Sequence, residues 1–212
     1  MAKTTNKNSG PAQFSASDVD VIAQESLFKG FFSMVKYRFR HRLFAGGWSE
    51  PMDRELFERG HAAAMLPYDP ATDQVVLVEQ FRVGALAAEG CSPWQLEIVA
   101  GIIEPGEQPT EVVRREAVEE AGLDVGPLHK ITRYLSSSGG CSETLDIFVG
   151  EVDSTLAGGI HGLAEEGEDI KVHVVSREDA YRWVESGKIE NAASIIALQW
   201  LQLNYTRLQA AP

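Results

Sequence analysis

Residues 101–123, GIIEPGEQPTEVVRREAVEEAGL, constrain this chain more than any other stretch. Gly101 and Gly106 punctuate a turn-rich loop, and Pro109 suits the first turn of a helix, where its missing N–H is no loss. From Thr110 to Ala121 the composition favours helix, and Gly122 fits the position just past its end. Glu116, Glu119 and Glu120 stand at i, i+3 and i+4 and share one face. Arg115 can pair back to Glu111 and forward to Glu119, which leaves Glu116 and Glu120 without a basic partner at helical spacing. At roughly 100° per residue, both lie in the arc between Val112 and Val113. They point where the apolar residues point, towards protein. Like charges at this spacing oppose each other by about 0.2–0.5 kcal/mol when exposed, and by more when sheltered, unless a cation joins them. Two readings follow. One is a solvated acidic face. The other is a pair of carboxylates on a rigid helix beside a glycine loop, an oxygen-rich setting that suits Mg²⁺ or Mn²⁺.

A chain of 212 residues supports one good-sized domain with an accessory element, or two small domains, and 44% apolar residues is an ordinary core content. The 19 basic and 31 acidic residues give a formal net charge of −12. Such a surface repels polyanions and argues against a nucleic-acid partner; a small anion can still bind if divalent metal accompanies it. Two cysteines, Cys91 and Cys141, suggest neither a disulfide framework nor a zinc site. No apolar span is long enough for a membrane helix, and the N-terminus shows no signal-peptide core, which makes a cytoplasmic location the expectation.

Residues 1–17 are polar and turn-rich and are expected to form a disordered arm. A short strand is expected from Asp18 to Ile22. Residues 34–44, MVKYRFRHRLF, alternate: Tyr37, Phe39 and Leu43 face one way, Lys36, Arg38, Arg40 and Arg42 the other. The basic face either pairs with acids on a neighbouring strand or steers phosphates. Gly46-Gly47 turns the chain, and a charged segment, 52–60, follows. Residues 61–67 and 74–79 read as a hairpin around Asp69, Pro70 and Asp73, residues 85–93 as a loop, and 94–99 as a strand that delivers Ala100 and Gly101. Strands are expected near 131–135, 144–151 and 170–175. Between the last two lies a long loop, 158–169, rich in glycine and acid, of the kind that is usually functional. Ser176 with Asp179 resembles a capping box for a helix that Gly187 ends. An amphipathic helix from about Ala192 to Leu208 closes the chain.

Gly101, Glu107, Arg115, Glu116, Ala117, Glu119, Glu120, Gly122 and Leu123 match the Nudix box, G-x5-E-x7-R-E-U-x-E-E-x-G-U with U apolar. The stretches FERGHAA, VVLVEQFR, LEIVAGIIEPGE, GGCSE, GIHGLAEEGEDIKVHVV and ENAASIIALQWLQL resemble the bacterial ADP-ribose pyrophosphatase family, and the likeness runs from Val19 to Tyr205. It implies an α/β fold: a Nudix α/β/α sandwich (59–212) carrying a small N-terminal antiparallel β-domain (18–58) exchanged across a two-fold axis, so that a homodimer builds each active site from both subunits. It implies metal-dependent hydrolysis of ADP-ribose to AMP and ribose 5-phosphate. The alternatives are another nucleoside diphosphate sugar, such as ADP-glucose or GDP-mannose, or a non-catalytic Nudix ligand sensor.

By motif, the resemblance implies Glu116, Glu120, Glu168 and the Ala100 carbonyl as metal ligands. Among Glu165, Glu166, Glu168 and Asp169 it names Glu166 as the base that activates water. Arg54, Glu55, Arg59, Arg82, Ile102, Glu143 and the pair Phe31 and Phe32 would line the substrate site, with Ser137, Ser138 and Gly139 as a backbone rim. Arg54 and Arg59 read equally as surface ion pairs, Arg82 as a strand-end cation, and the two phenylalanines as core or dimer contacts. Ser138 stands where ADP-ribose members usually carry proline, which bears on the substrate and not on the chemistry. The five histidines lack metal spacing and read as structural.

Overall fold

The structure, a computed structural model, describes residues 14–209. The arm expected at residues 1–17 lies outside the described residues up to position 13; Ala16–Asp18 form a single 3-10 turn. The described chain divides into two compact units, one running up to Arg59 and including Ser137–Ser142, the other comprising Gly60–Ser136 and the chain from Glu143 onward.

In the first unit three strands, β1 (Val19–Lys29), β2 (Ser33–His41) and β3 (Met52–Glu58), make an antiparallel sheet in the order β1-β2-β3. β1 is longer than the short strand expected, and the charged segment at 52–60 is a strand. Both follow from the charges on β2. Lys36 lies opposite Glu25 and Glu55, Arg38 opposite Asp53, and Arg40 opposite Asp20. Ion pairs close at 2.5 Å from Lys36 to Glu25, 2.9 Å from Arg40 to Asp20 and 3.8 Å from Arg38 to Asp53. The basic strand face therefore pairs with acids across the sheet. Pairs this exposed add little stability each, about 0–1 kcal/mol, but opposite charges in register favour one alignment over a slipped one. Ser137–Ser142 joins this unit through a parallel bridge between Phe57 and Cys141 and a 2.5 Å hydrogen bond from Ser142 Oγ to Glu58.

The second unit is built on a mixed sheet of eight strands among the described residues: β4 (Ala62–Asp69), β5 (Gln74–Phe81), β6 (Trp94–Glu97), β7 (Val99–Ile102), β8 (Leu128–Leu135), β9 (Thr144–Glu151), β10 (Ile160–His161) and β11 (Ile170–Ser176). The main path is β10-β11-β5-β4-β9-β8, with β6 on β5 and β7 on β4. The hairpin expected from residues 61–67 and 74–79 is paired only beside its turn. Tyr68 and Asp69 pair with Val75 and Gln74; further from the turn, Ala62–Met65 pair antiparallel with β7, and β4 pairs in parallel with β9 from Ala62 to Tyr68. Fully buried on both faces, β4 reads as the continuous apolar run AAAMLPY typical of a central strand.

Alternation along the strands then makes two cores. Ala62, Ala64, Leu66, Tyr68, Val75 and Leu77 face α3 (Arg177–Glu185) and α4 (Ala192–Gln209), meeting Ala180, Ala197, Leu198 and Leu201. Ala63, Met65, Val76, Val78 and Val99 face α2 (Pro109–Ala121), meeting Val112, Val113, Ala117 and Ala121. Each fully buried Val or Leu is worth about 1.5–3 kcal/mol. The result is the α/β/α sandwich expected, with α2 on one face and α3 and α4 on the other. Ser176 caps α3 as anticipated, its Oγ accepting from Asp179 N–H at 3.0 Å. The loop placed at 85–93 begins as a short helix, α1 (Val83–Ala87). The loop at 158–169 contains β10 and a 3-10 turn at Ala164–Glu166.

Candidate active site

Ala100, Gly101, Glu116 and Glu120 come together where β7 meets α2. Pro109 opens the helix and Gly122, left-handed at φ 65°, ends it, its N–H donating to the Val118 carbonyl. Arg115 does not pair with Glu111, whose carboxylate instead accepts from Gln108 N–H at 2.9 Å. It gathers Glu107 at 3.3 Å, Glu116 at 2.8 Å and Glu119 at 3.0 Å. Glu116 thus has a cation after all, its own chain neighbour, where helical spacing offers none.

The other carboxylate of the pair is more enclosed. Glu120 is 2% exposed. One oxygen accepts from Ala100 N–H at 3.0 Å, and the other, among the described residues, from Gln80 Nε2 at 3.4 Å. Burial pushes its carboxyl up to about 8; the neighbouring charge of Glu116 adds to this and the Ala100 N–H offsets it only in part. Burial likewise pushes Glu116 up to about 7 despite Arg115, with Glu119 and Glu168 contributing. Gly101 is required by this approach: a Cβ built on it would fall 1.8 Å from Glu116 Oε1. The glycine of the motif is a space reserved for a carboxylate.

Glu168 comes from the loop before β11. Its carboxylate accepts from Leu163 N–H at 3.0 Å, and its charge is felt by Glu116 and by Arg82. Arg82 follows β5, and its guanidinium makes two bonds to Glu97 Oε2, at 3.0 and 2.8 Å. Glu97 also accepts from Asn191 Nδ2 at 3.0 Å, and Asn191 receives Ser194. This buried support was missed in the sequence, although a charge inside the apolar strand WQLEIV was a signal that a partner must exist. Ile102 ends β7, and Glu143 is buried beside β9, where its charge helps burial raise the Tyr134 hydroxyl. Glu166 ends its 3-10 turn, and its side chain lies outside the described ones.

The remaining candidates belong to the first unit. Arg54, Glu55 and Gly139 line one cavity of about 270 Å³ together with Val19, Val21, Tyr37, Phe39 and Leu56. Phe31 is 88% exposed and so is not core; it meets Phe32 edge-on at 4.8 Å, Phe32 meets Phe57 at 5.3 Å, and the Arg59 guanidinium lies 5.2 Å from the Phe32 ring. Ser137 accepts Gly140 and Cys141 N–H on its carbonyl, which rounds the turn that carries Ser138 and Gly139.

Among the described residues no three His, Cys, Asp or Glu side chains already converge as a closed cation cage. What fits a divalent ion is the unbalanced pair: two sheltered carboxylates with raised pKa values, an all-oxygen donor set, and a third acid close enough to add charge.

Residues 58–198 match the NUDIX domain family, and this chain belongs to that family. It is 59% identical over 199 residues to the ADP-ribose pyrophosphatase of Escherichia coli K12, covering 94% of this chain and 95% of that one. It is 50% identical to the ADP-ribose pyrophosphatase of Haemophilus influenzae, covering 92% and 91%. To the GDP-mannose pyrophosphatase of Pectobacterium atrosepticum the identity is 32%, covering 87% and 94%. A crystal structure of an ADP compounds hydrolase shares the fold with a TM-score of 0.67 at 18% identity, covering 90% of this chain and 98% of that one. The family implies dependence on a divalent metal in general. Among the described residues no helix is long and apolar enough to cross a membrane.

Proposed function

We propose that this chain hydrolyses the diphosphate bond of ADP-ribose, releasing AMP and ribose 5-phosphate. The observation that carries the reading is the Glu116–Glu120 pair: two sheltered carboxylates, both raised, on the helix of a chain 59% identical to ADP-ribose pyrophosphatases. Glu116, Glu120 and Glu168 would hold Mg²⁺, with Mn²⁺ as a substitute. The Ala100 carbonyl fits the same role. Its N–H points to Glu120, and in extended backbone the two polar groups of one residue point to the same side. When bound, the ion neutralises the diphosphate and lowers the pKa of an attacking water.

The protein's own groups do the rest. Glu166 takes the proton of that water. Arg82, held in place by Glu97, offers a fixed positive charge to the diphosphate. Arg54, Glu55, Arg59, Phe31, Phe32, Ile102, Glu143 and the Ser137–Gly139 turn would bind the nucleoside and the terminal ribose. Val19, Val21, Ile22, Leu27 and Phe28 leave β1 with exposed apolar surface, which supports a homodimer in which the N-terminal sheet is exchanged. A stable, active monomer in sedimentation at assay concentration contradicts that assembly.

The test is relative kcat/KM on ADP-ribose, ADP-glucose and GDP-mannose, with Mg²⁺ and with chelator. ADP-ribose should be preferred and AMP release should vanish with chelator. A preference for GDP-mannose would move the substrate, with Ser138 the first suspect. Binding without hydrolysis would make the protein a sensor.

A further inference from the structure

The loop that carries Glu168 is tied to the C-terminal end of the helix that carries Glu116 and Glu120, and the tie uses a residue so far without a role. His161, in β10, pairs with Ile170 of β11. Its ring lies against the left-handed turn that ends α2: a Cβ built on Gly122 would fall 2.8 Å from His161 Cε1. Its Nε2–H donates to the Gly158 carbonyl at 2.8 Å, which fixes the ring plane. The next residue, Gly162, donates its N–H to the Glu119 carbonyl at 3.2 Å and occupies one of the orphan acceptors of the last helical turn. One residue further, Leu163 holds Glu168 twice: its N–H donates to the Glu168 carboxylate at 3.0 Å, and its carbonyl accepts Glu168 N–H at 3.2 Å. An unbroken path of short contacts therefore runs from the end of α2 through residues 161–163 to the Glu168 carboxylate.

We infer that His161 is a positioning residue. With Gly122 and Gly162 it clasps the acidic loop to α2 and so sets where Glu168 stands relative to Glu116 and Glu120. Gly122 then has two duties: it ends the helix at positive φ and it leaves room for the His161 ring. The loop carries glycines at 158, 159, 162 and 167, which leave its backbone free to move where no contact holds it. This inference rests on reading the three glutamates as the acids that hold a divalent ion.

The experiment uses Mn²⁺ alone as probe, free ion being counted by electron paramagnetic resonance, on full-length wild type, Glu116→Gln, His161→Ala, Gly122→Ala and the Gly122→Ala/His161→Ala double variant. Groups that orient ligands typically matter 10–100-fold in metal affinity. His161→Ala should weaken Mn²⁺ roughly 10-fold. Gly122→Ala, by displacing the ring, should act in the same way, and the double variant should be no weaker than the weaker single. In turnover, His161→Ala should raise the Mg²⁺ needed for half activity while KM for ADP-ribose stays constant, a split that general loss of structure does not produce. If His161→Ala does not fold, His161→Gln, which also withdraws the ring from Gly122, takes its place in the cycle. Wild-type Mn²⁺ affinity in the folded His161 variant, or strictly additive losses in the double, overturns the clasp. If Glu116→Gln also binds Mn²⁺ like wild type, the reading of the site itself has failed.

Discussion

Two acids of the second unit are both nearly hidden from water, Glu120 the more deeply, and behave in opposite ways. Asp69, 5% exposed, sits at the turn between β4 and β5. It accepts Ala71 and Thr72 N–H on one oxygen and both the N–H and the hydroxyl of Ser154 on the other, the last at 2.7 Å. Burial pushes its carboxyl up, yet these donors together hold it below its ordinary value. Glu120 has one good donor and a like charge four residues away, and it rises to about 8. The first acid is complete as folded and staples two turns. The second is short of positive charge. The same carboxylate chemistry therefore marks scaffold at one place and a cation-seeking site at the other, and the depth of burial and the count of donors together distinguish them.

The sharpest break between the two regions is kinetic. Glu166→Gln should lower kcat by roughly 10²–10⁴, as for loss of a general base, with ADP-ribose affinity little changed; single-turnover rates check it. Silence at Glu166 with loss at Glu165→Gln or Glu168→Gln would move the base within the loop. Next, Glu116→Gln and Glu120→Gln should each fold normally and lose at least about a hundredfold in kcat. Near wild-type activity in either would remove that residue from the ion-holding set.

Asp69→Asn should do the reverse. It exchanges a charged acceptor of several bonds for a weaker one and should cost about 2–3 kcal/mol in denaturant unfolding, with kcat unchanged. A loss of activity without loss of stability would erase the contrast.

Much of this was legible beforehand, and the gaps have a common cause. The box helix, its end at Gly122 and the capping of α3 follow from local spacing, and the α/β/α layering from the resemblance that the box carries. What escaped depends on partners far along the chain. β3 reads as a charged segment until Lys36 and Arg38 are placed opposite Glu55 and Asp53. The reason for Gly101 appears only when Glu116 is seen beside it. Glu97, Asn191 and Ser194 form one support for Arg82 across more than ninety residues. His161 was read as structural, and its position against Gly122 could not be inferred from either stretch alone.

A smaller effect sharpens the comparison through pH. For Glu116 and Glu120 the folded values, about 7 and about 8, lie above the ordinary 4.5. With chelator present, the folded protein holds more protons than the unfolded one between these limits, so the stability they contribute is full below about pH 4.5 and is lost as pH rises towards 8. Asp69 is the mirror case: its contribution is present above 3.8 and is lost as pH falls through its lowered value. Glu120→Gln should flatten the upper limb and Asp69→Asn the lower, in denaturant titrations across pH. An unchanged upper limb in Glu120→Gln would mean that Glu120 is not the acid out of balance.

The central claim, that the Glu116–Glu120 pair is where the ion binds, is tested most directly by calorimetry at pH 8 with and without Mg²⁺, on wild type and Glu120→Gln. An ion at a hundred times its dissociation constant adds about 2.7 kcal/mol, or roughly 5–10 °C in Tm for a chain of this size. Wild type should gain that shift and Glu120→Gln should lose most of it. Equal shifts in both proteins would place the ion elsewhere.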